Sequence, residues 1–297
     1  MDNDRIASLI HLYEDGALNR RDIIRKLIGC TGSLTAAMAV LESTGLAQTT
    51  TAACAGDVRV AENDPAVYGE MLTLYGSGPL YAYQARPSVD SFTQARPAVL
   101  VVHENQGLTS YIKDVTRRIA KAGYVGIAVD LLSRQGGTGQ FPTAETAMAA
   151  YNRTTQEERR ADMLSTLFTI REQPYVIRDK LGAIGFCAGG GNVYDLAINT
   201  DQLSAAVVYY GPAPNPVDQV SKITAPLLGI YPELDRGTTG PLSSVLSTLV
   251  AGNKRYSLHI YENTNHAFHN DTGPRYDAGA ACDAWSKTLV FLNEHLR

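Results

Sequence analysis

The pentapeptide Gly185-Phe186-Cys187-Ala188-Gly189 follows the apolar run Leu181 to Ile184 and opens into Gly190, Gly191 and Asn192. A G-x-nucleophile-x-G pattern at a strand end marks a strained turn into a helix, because the flanking glycines lack the Cβ atoms that would clash as the chain reverses. Such a turn commits its surroundings to a strand, a sharp reversal and a helix, with the central side chain presented at the strand's carboxyl end. Serine usually stands at that centre, and here it is Cys187. A structural cysteine buried as a small hydrophobe would fit the same turn. What separates the two readings is whether a base and a carboxylate follow at suitable places.

The chain around the elbow alternates strand and helix patterns. Ala98 to Val102 is a continuous, largely β-branched run, the mark of a strand buried on both faces, and Tyr124 to Val129 is a second. Between them Ser110 to Ala122 reads as a helix closed by Gly123. Residues 143 to 150 and 155 to 172 read as helices, with Pro174 as the stop. Lys180 to Phe186 is the strand that feeds the elbow, and Val193 to Asn199 continues a helix behind it. Leu203 to Tyr210, Pro226 to Tyr231 and Tyr256 to Tyr261 add strands, and Leu242 to Val250 and Tyr276 to Leu296 add helices. Upstream, Glu70 to Leu74 and Leu80 to Gln84 suit a hairpin about Gly76-Ser77-Gly78-Pro79. The fold class is therefore α/β, a mostly parallel, doubly wound sheet with helices on both faces.

The first 55 residues differ from the rest. Ile6, Leu9, Ile10 and Tyr13 lie at helical spacing, and Gly16 ends that segment. Asn19-Arg20-Arg21-Asp22-Ile23-Ile24-Arg25-Lys26 then precedes a weakly apolar stretch, Leu27 to Ala47, which resembles a twin-arginine export signal. Gly45-Leu46-Ala47 offers small residues for cleavage, and Thr49 to Asp57 reads as a linker. Export to the periplasm is the expectation, and a cytoplasmic protein that retains an N-terminal helical extension is the alternative. Glu42 interrupts the apolar stretch, so no stable membrane insertion is expected. Residues 56–297 form the expected catalytic domain.

Composition narrows the partners. A net charge of −4 provides no basic stripe to neutralise a phosphate backbone, so nucleic acid is not expected. Cys30, Cys54, Cys187 and Cys282 form no C-x-x-C pair and no metal spacing with histidine; only a Cys54–Cys282 bridge stays open, for an exported chain. Neither metal nor cofactor is expected, and no oligomeric state is assigned.

In sheets of this kind ligands bind beyond the carboxyl ends of the strands, and Glu104, Cys187, Asp235 and His266 each follow an expected strand. Around a nucleophile elbow the partners follow in the order acid, then histidine, and Cys187, Asp235 and His266 keep that order. His266 would serve Cys187 either as an imidazolium paired with a thiolate or as a general base. Asp235 would accept the second imidazole N–H. Glu233 competes for the acid's place, but Pro232 already breaks the strand, which favours Asp235.

The segments His103-Glu104-Asn105-Gln106-Gly107-Leu108, Asp130-Leu131-Leu132-Ser133-Arg134-Gln135, Gly185-Phe186-Cys187-Ala188-Gly189-Gly190, Tyr209-Tyr210-Gly211 and His266-Ala267-Phe268 together resemble the dienelactone hydrolase family, over roughly residues 60 to 297. The resemblance implies an α/β-hydrolase fold and a Cys187-Asp235-His266 triad. It also implies that Glu104 contacts the resting cysteine and helps to generate thiolate as substrate enters; a strand-end carboxylate paired with a nearby cation is the plainer alternative. Arg134 matches the family's arginine for the substrate carboxylate, with a surface salt bridge as the alternative. Tyr210 and Phe268 fall in motifs expected to face substrate. One position departs: where dienelactone-using members carry a second arginine, four residues after the histidine, this chain has Asn270. Arg275, on the following loop, is the nearest replacement in sequence.

The expected reaction is acyl transfer to water through a thioester. Backbone N–H groups of Ala188 and of Asn105 or Gln106 would hold the oxyanion. Thiolate expels alkoxide less readily than enolate or phenolate, so small-molecule enol lactones and activated esters are the expected substrates. A broader carboxylesterase for aryl or short-chain esters is the rival within hydrolases. A non-catalytic binding or stress-response protein with this fold is the rival from another class.

Overall fold

The computed structural model describes residues 3–14, 20–31, 40, 59–88 and 94–297. The chain divides into two compact units, Met1–Gly56 and Asp57–Arg297. In the first, helices α1 (Asn3–Glu14) and α2 (Arg20–Thr31) bury Ile6 and Leu9 of one and Ile23 and Leu27 of the other in a small apolar cluster. The paired arginines open α2. The expected cleavage stretch at residues 45 to 47 and the linker at 49 to 57 lie outside the described residues, as does Cys54. Cys282 is disulfide-bonded, and Cys30 and Cys187 are free thiols.

The second unit is built on one sheet of eight strands: β1 (Val67–Tyr75), β2 (Pro79–Pro87), β3 (Arg96–Val102), β4 (Val125–Val129), β5 (Val176–Phe186), β6 (Ala205–Tyr209), β7 (Leu227–Pro232) and β8 (Tyr256–Tyr261). Their order is β1-β2-β4-β3-β5-β6-β7-β8. The β1–β2 hairpin and the β2–β4 pair are antiparallel, and every other pairing is parallel. Helices α3 (Ser110–Lys121), α4 (Ala144–Tyr151), α5 (Gln156–Arg171), α6 (Ala188–Asn199), α7 (Arg236–Thr239), α8 (Leu242–Ala251) and α9 (Ala278–Leu296) fill the connections.

The uniformly apolar strands follow from burial on both faces. In β3, Ala98, Leu100 and Val102 pack into one core with residues of α4, α5, α6 and α8, while Val99 and Val101 pack into the other with α3 and α9. Each fully buried Val, Leu or Ile contributes roughly 1.5–3 kcal/mol, which is why no polar residue interrupts Ala98 to Val102. The parallel strands all end on one side, and that edge carries the polar residues singled out above.

Three details differ from the expectations. Helix α6 already begins at Ala188, ahead of the Val193–Asn199 stretch, and the three glycines that weaken it locally answer to close contacts, of Gly189 and Gly190 with backbone and of Gly191 with the Pro212 ring. Strand β5 begins at Val176, and its exposed Arg178 and Asp179 hide its first half from a search for apolar runs. The four-residue helix α7 after Asp235 has no apolar periodicity to announce it.

Candidate active site

Strand β5 delivers Cys187 at φ 55°, ψ −122°, a conformation that costs a non-glycine residue about 1–3 kcal/mol. Surrounding structure holds it there: the Cys187 N–H donates to the Tyr209 carbonyl at 3.0 Å. A Cβ on Gly185 would stand 2.1 Å from the Gly189 carbonyl oxygen, and one on Gly189 would stand 2.3 Å from that of Val102. The elbow therefore needs glycine on both sides of the cysteine for contact reasons alone.

Strands β7 and β8 supply the other partners. The Nδ1 of His266 lies 2.6 Å from Oδ2 of Asp235, which also accepts from Thr238 Oγ1 at 2.7 Å, while Oδ1 accepts from the Gly237 N–H at 3.2 Å. Burial opposes ionisation of Asp235, but the bonds from Thr238 and His266 outweigh it and hold the carboxyl below its ordinary range. An ionised Asp235 can only accept, so Nδ1 carries the hydrogen and Nε2 is the free acceptor. The Tyr210 ring packs on the imidazole at 5.0 Å between centroids. Glu233 is exposed and accepts from the Asn263 N–H at 2.9 Å, so Asp235 is the acid that meets the histidine.

Glu104 follows β3 and is buried. Burial pushes its pKa up, and a 2.8 Å hydrogen bond from Asn270 Nδ2 together with the charge of Arg275 only partly counters this. Its neighbour His103 bridges from Nδ1 to the Glu104 carbonyl at 2.5 Å and from Nε2 to the Leu131 N–H at 2.9 Å, tying the β3 loop to the β4 loop. The Cys187 thiol is pushed up to about 11, first by burial and then by the charge of Glu104, with Asp235 adding to it; the Ala188 N–H and Arg275 act in the opposite direction. Burial and the neighbouring carboxylates favour the thiol over the thiolate.

Glu104, Asn105, Gln106, Cys187 and His266 line one cavity of about 300 Å³. Among the described residues, the N–H groups of Asn105 and Gln106 make no backbone hydrogen bond, and that of Ala188 is directed at the Cys187 sulfur. A separate cavity of about 350 Å³, beside Arg59, Tyr111 and Arg117, is lined by no cysteine and no histidine, and its carboxylates Asp114 and Asp271 are paired with arginines.

Three expected substrate contacts are corrected. Arg134 Nε and an Nη donate to the two oxygens of the buried Asp162 at 3.0 and 2.7 Å, a forked pairing that commits the guanidinium away from the cavity. Tyr210 and Phe268 are fully buried and lie behind His266, as its support. Sequence reasoning missed Thr238, which no local signal distinguishes, and Met148 on α4, which lines the cavity. It singled out Asn270 only as a missing arginine.

Residues 80–296 match the dienelactone hydrolase family along nearly the whole second unit. The chain belongs to that family. It is accordingly a hydrolase of the class that opens carboxylic esters and lactones, and its sheet has the α/β-hydrolase topology. The "Putative carboxymethylenebutenolidase" of Methylorubrum extorquens is 28% identical over 300 residues, covering 97% of each chain. The "Probable 2-oxo-3-(5-oxofuran-2-ylidene)propanoate lactonase" of a Bradyrhizobium species is 31% identical over 226 residues, covering 72% of this chain and 89% of the relative. Among solved structures, the dienelactone hydrolase family protein titled "Putative Dienelactone Hydrolase" from Klebsiella pneumoniae superposes with a TM-score of 0.70 at 27% identity, over 77% of this chain and 99% of that one.

Proposed function

We propose that this protein hydrolyses enol lactones and activated esters through a thioester on Cys187. The observation that carries the reading is the meeting of Cys187 and His266 on one cavity, with His266 hydrogen-bonded through Nδ1 to Asp235. Nε2 of His266 takes the thiol proton as sulfur bonds to the acyl carbon. The oxyanion is held by the N–H groups of Ala188 and of Asn105 or Gln106. The acyl C–O bond then breaks, and the leaving oxygen either collects the proton from His266 or departs as enolate while His266 gives that proton to solvent, so that Nε2 is free again. Water, deprotonated by His266, attacks the thioester, the C–S bond breaks, and the thiol is restored with release of the carboxylic acid.

A thiol with a pKa near 11 leaves a small thiolate population at neutral pH, so proton removal has to accompany attack. Glu104, poorly solvated and on the same cavity, offers a second route for that one proton, taking it in place of His266 as substrate enters and returning it to the leaving oxygen. Weakly basic leaving groups suit this chemistry. The names of the two relatives both describe lactones whose ring oxygen leaves as an enolate.

The test is turnover of dienelactone and p-nitrophenyl acetate by the protein and by Cys187→Ala, with intact-mass detection of an acyl adduct. The expected result is an adduct on the parent protein and loss of turnover by at least about a thousandfold in the variant. Faster turnover of the acetate than of the lactone would favour the broader carboxylesterase. Equal turnover by variant and parent would remove the cysteine mechanism, and no turnover by either would favour a binding protein.

We also propose export through the twin-arginine route, supported by Arg20-Arg21 and by the disulfide at Cys282, a bond that persists in oxidising compartments. Fractionation of native cells tests this, and recovery from the cytoplasm with Met1 intact would refute it.

A further inference from the structure

We propose that Arg275 is the residue that binds the carboxylate of an anionic lactone substrate, in place of both Arg134 and the arginine absent at Asn270. This rests on the hydrolase reading above and names the substrate contact that reading leaves open.

Arg275 is the one permanent cation among the described residues that line the catalytic cavity. Among the described residues it has no ion pair and no hydrogen bond, so its guanidinium is uncommitted. The other two candidates are engaged elsewhere. Arg134 is forked onto Asp162. Asn270 uses Nδ2 on Glu104 at 2.8 Å, and its Oδ1 accepts from the N–H and hydroxyl of Thr272 at 3.0 and 2.7 Å.

The loop that carries Arg275 is pinned at both ends. Asn270 N–H donates to the Ala267 carbonyl at 3.0 Å, Gly273 N–H to that of Asn270 at 3.1 Å, and Asp277 N–H to that of Phe268 at 2.9 Å. These bonds fix the loop to the same short segment that presents His266, so Arg275 is placed relative to the reacting atoms without reaching from a distant helix. Its charge is felt at both Glu104 and Cys187, in each case favouring the ionised form. Guanidinium can bind a carboxylate by two parallel N–H···O bonds, which orients the substrate as well as attracting it. The exposed side chain stands at the cavity's rim, which suits a lactone whose ring enters toward Cys187 while its carboxylate arm stays outside.

The experiment compares kcat/KM for dienelactone, which carries a carboxylate, with that for α-angelica lactone, a neutral enol lactone, in the parent protein and in Arg275→Gln, Arg275→Lys and Arg134→Gln. A charge-assisted pair of this kind is worth roughly tenfold to a hundredfold in affinity. Arg275→Gln is expected to lower the ratio of the two specificity constants by about tenfold or more, mainly through KM for the anionic lactone, and Arg275→Lys to restore part of it. A ratio unchanged in Arg275→Gln would overturn the proposal, as would a ratio lowered equally by Arg134→Gln. If the parent protein opens neither lactone, the hydrolase reading itself fails and this inference falls with it. Turnover of both with an unchanged ratio defeats the inference alone.

Discussion

The side-chain amide of Asn270 donates to Oε2 of Glu104 at 2.8 Å, across 166 residues of sequence. It favours the ionised form of a buried carboxylate on the cavity that Cys187 lines, and Asn270 stands where the resemblance to dienelactone-using members implies an arginine. In this chain the amide supports the cavity's own carboxylate.

Removing that donor should therefore be felt in the pH profile. In Asn270→Leu, Glu104 keeps its burial and loses the bond that lowers its pKa. Its ionised form then appears only at higher pH. We expect kcat/KM for a neutral activated ester to fall by about tenfold and the acidic limb of the profile to move upward. A fall in rate with an unmoved limb would show that Asn270 shapes the loop and does not tune the acid.

Reactivity of Cys187 toward iodoacetamide reports its protonation at rest. With the thiol near 11, alkylation should accelerate about tenfold per pH unit between pH 7 and pH 9, with no plateau in that range. Mass spectrometry of the Cys187 peptide separates it from the free thiol of Cys30. A rate already independent of pH at 7 would mean a preformed thiolate–imidazolium pair.

Thr238 and His266 share one oxygen of Asp235, so the two contacts act on one function. Thr238→Val should reduce kcat by roughly tenfold, since the carboxylate keeps the histidine but loses a bond that holds it ionised and oriented. Asp235→Asn is expected to cost far more, about 10²–10⁴, because an amide that donates to Nδ1 reverses the imidazole tautomer and removes the free acceptor at Nε2. Steady-state rates of both variants on one activated ester check the order.

Much of this arrangement is legible in the sequence. Strands β3, β4, β6 and β7 and the second half of β5 announce themselves because burial on both faces leaves no room for polar residues, and the order Cys187, Asp235, His266 follows from which strand ends first. What was not legible depends on partners far apart in sequence. Arg134 looks available until Asp162, one helix away, is seen to hold it. Tyr210 and Phe268 lie in motifs at the site, yet their rings turn inward and pack behind the histidine, an orientation that a strand end does not reveal. The glycines at 189 to 191 weaken a helix by propensity, and only the approach of the Val102 carbonyl, of Gly211 and of the Pro212 ring shows why glycine stands there.

Glu104 should also weaken the fold that it serves. Its folded-state pKa is raised, chiefly by burial, so the native state resists losing that proton more than the unfolded chain does. At a pH below the unfolded value, about 4.3, both states hold the proton and the carboxyl costs nothing. As pH climbs from there through the folded pKa, the unfolded state ionises first and native stability declines; above the folded value the loss is complete and constant. Glu104→Gln keeps an acceptor for Asn270 and cannot ionise. The variant should match the parent in thermal midpoint near pH 4 and exceed it near pH 7, each 1 kcal/mol of relief raising the midpoint by roughly 2–4 °C. It should also lower the thiol pKa of Cys187 by deleting the neighbouring negative charge, so that iodoacetamide reacts faster, while ester turnover falls. Thermal melts of both proteins at the two pH values, beside the alkylation rates, decide the matter. A variant no more stable than the parent at pH 7 would show that Glu104 is well enough solvated or paired to ionise without strain.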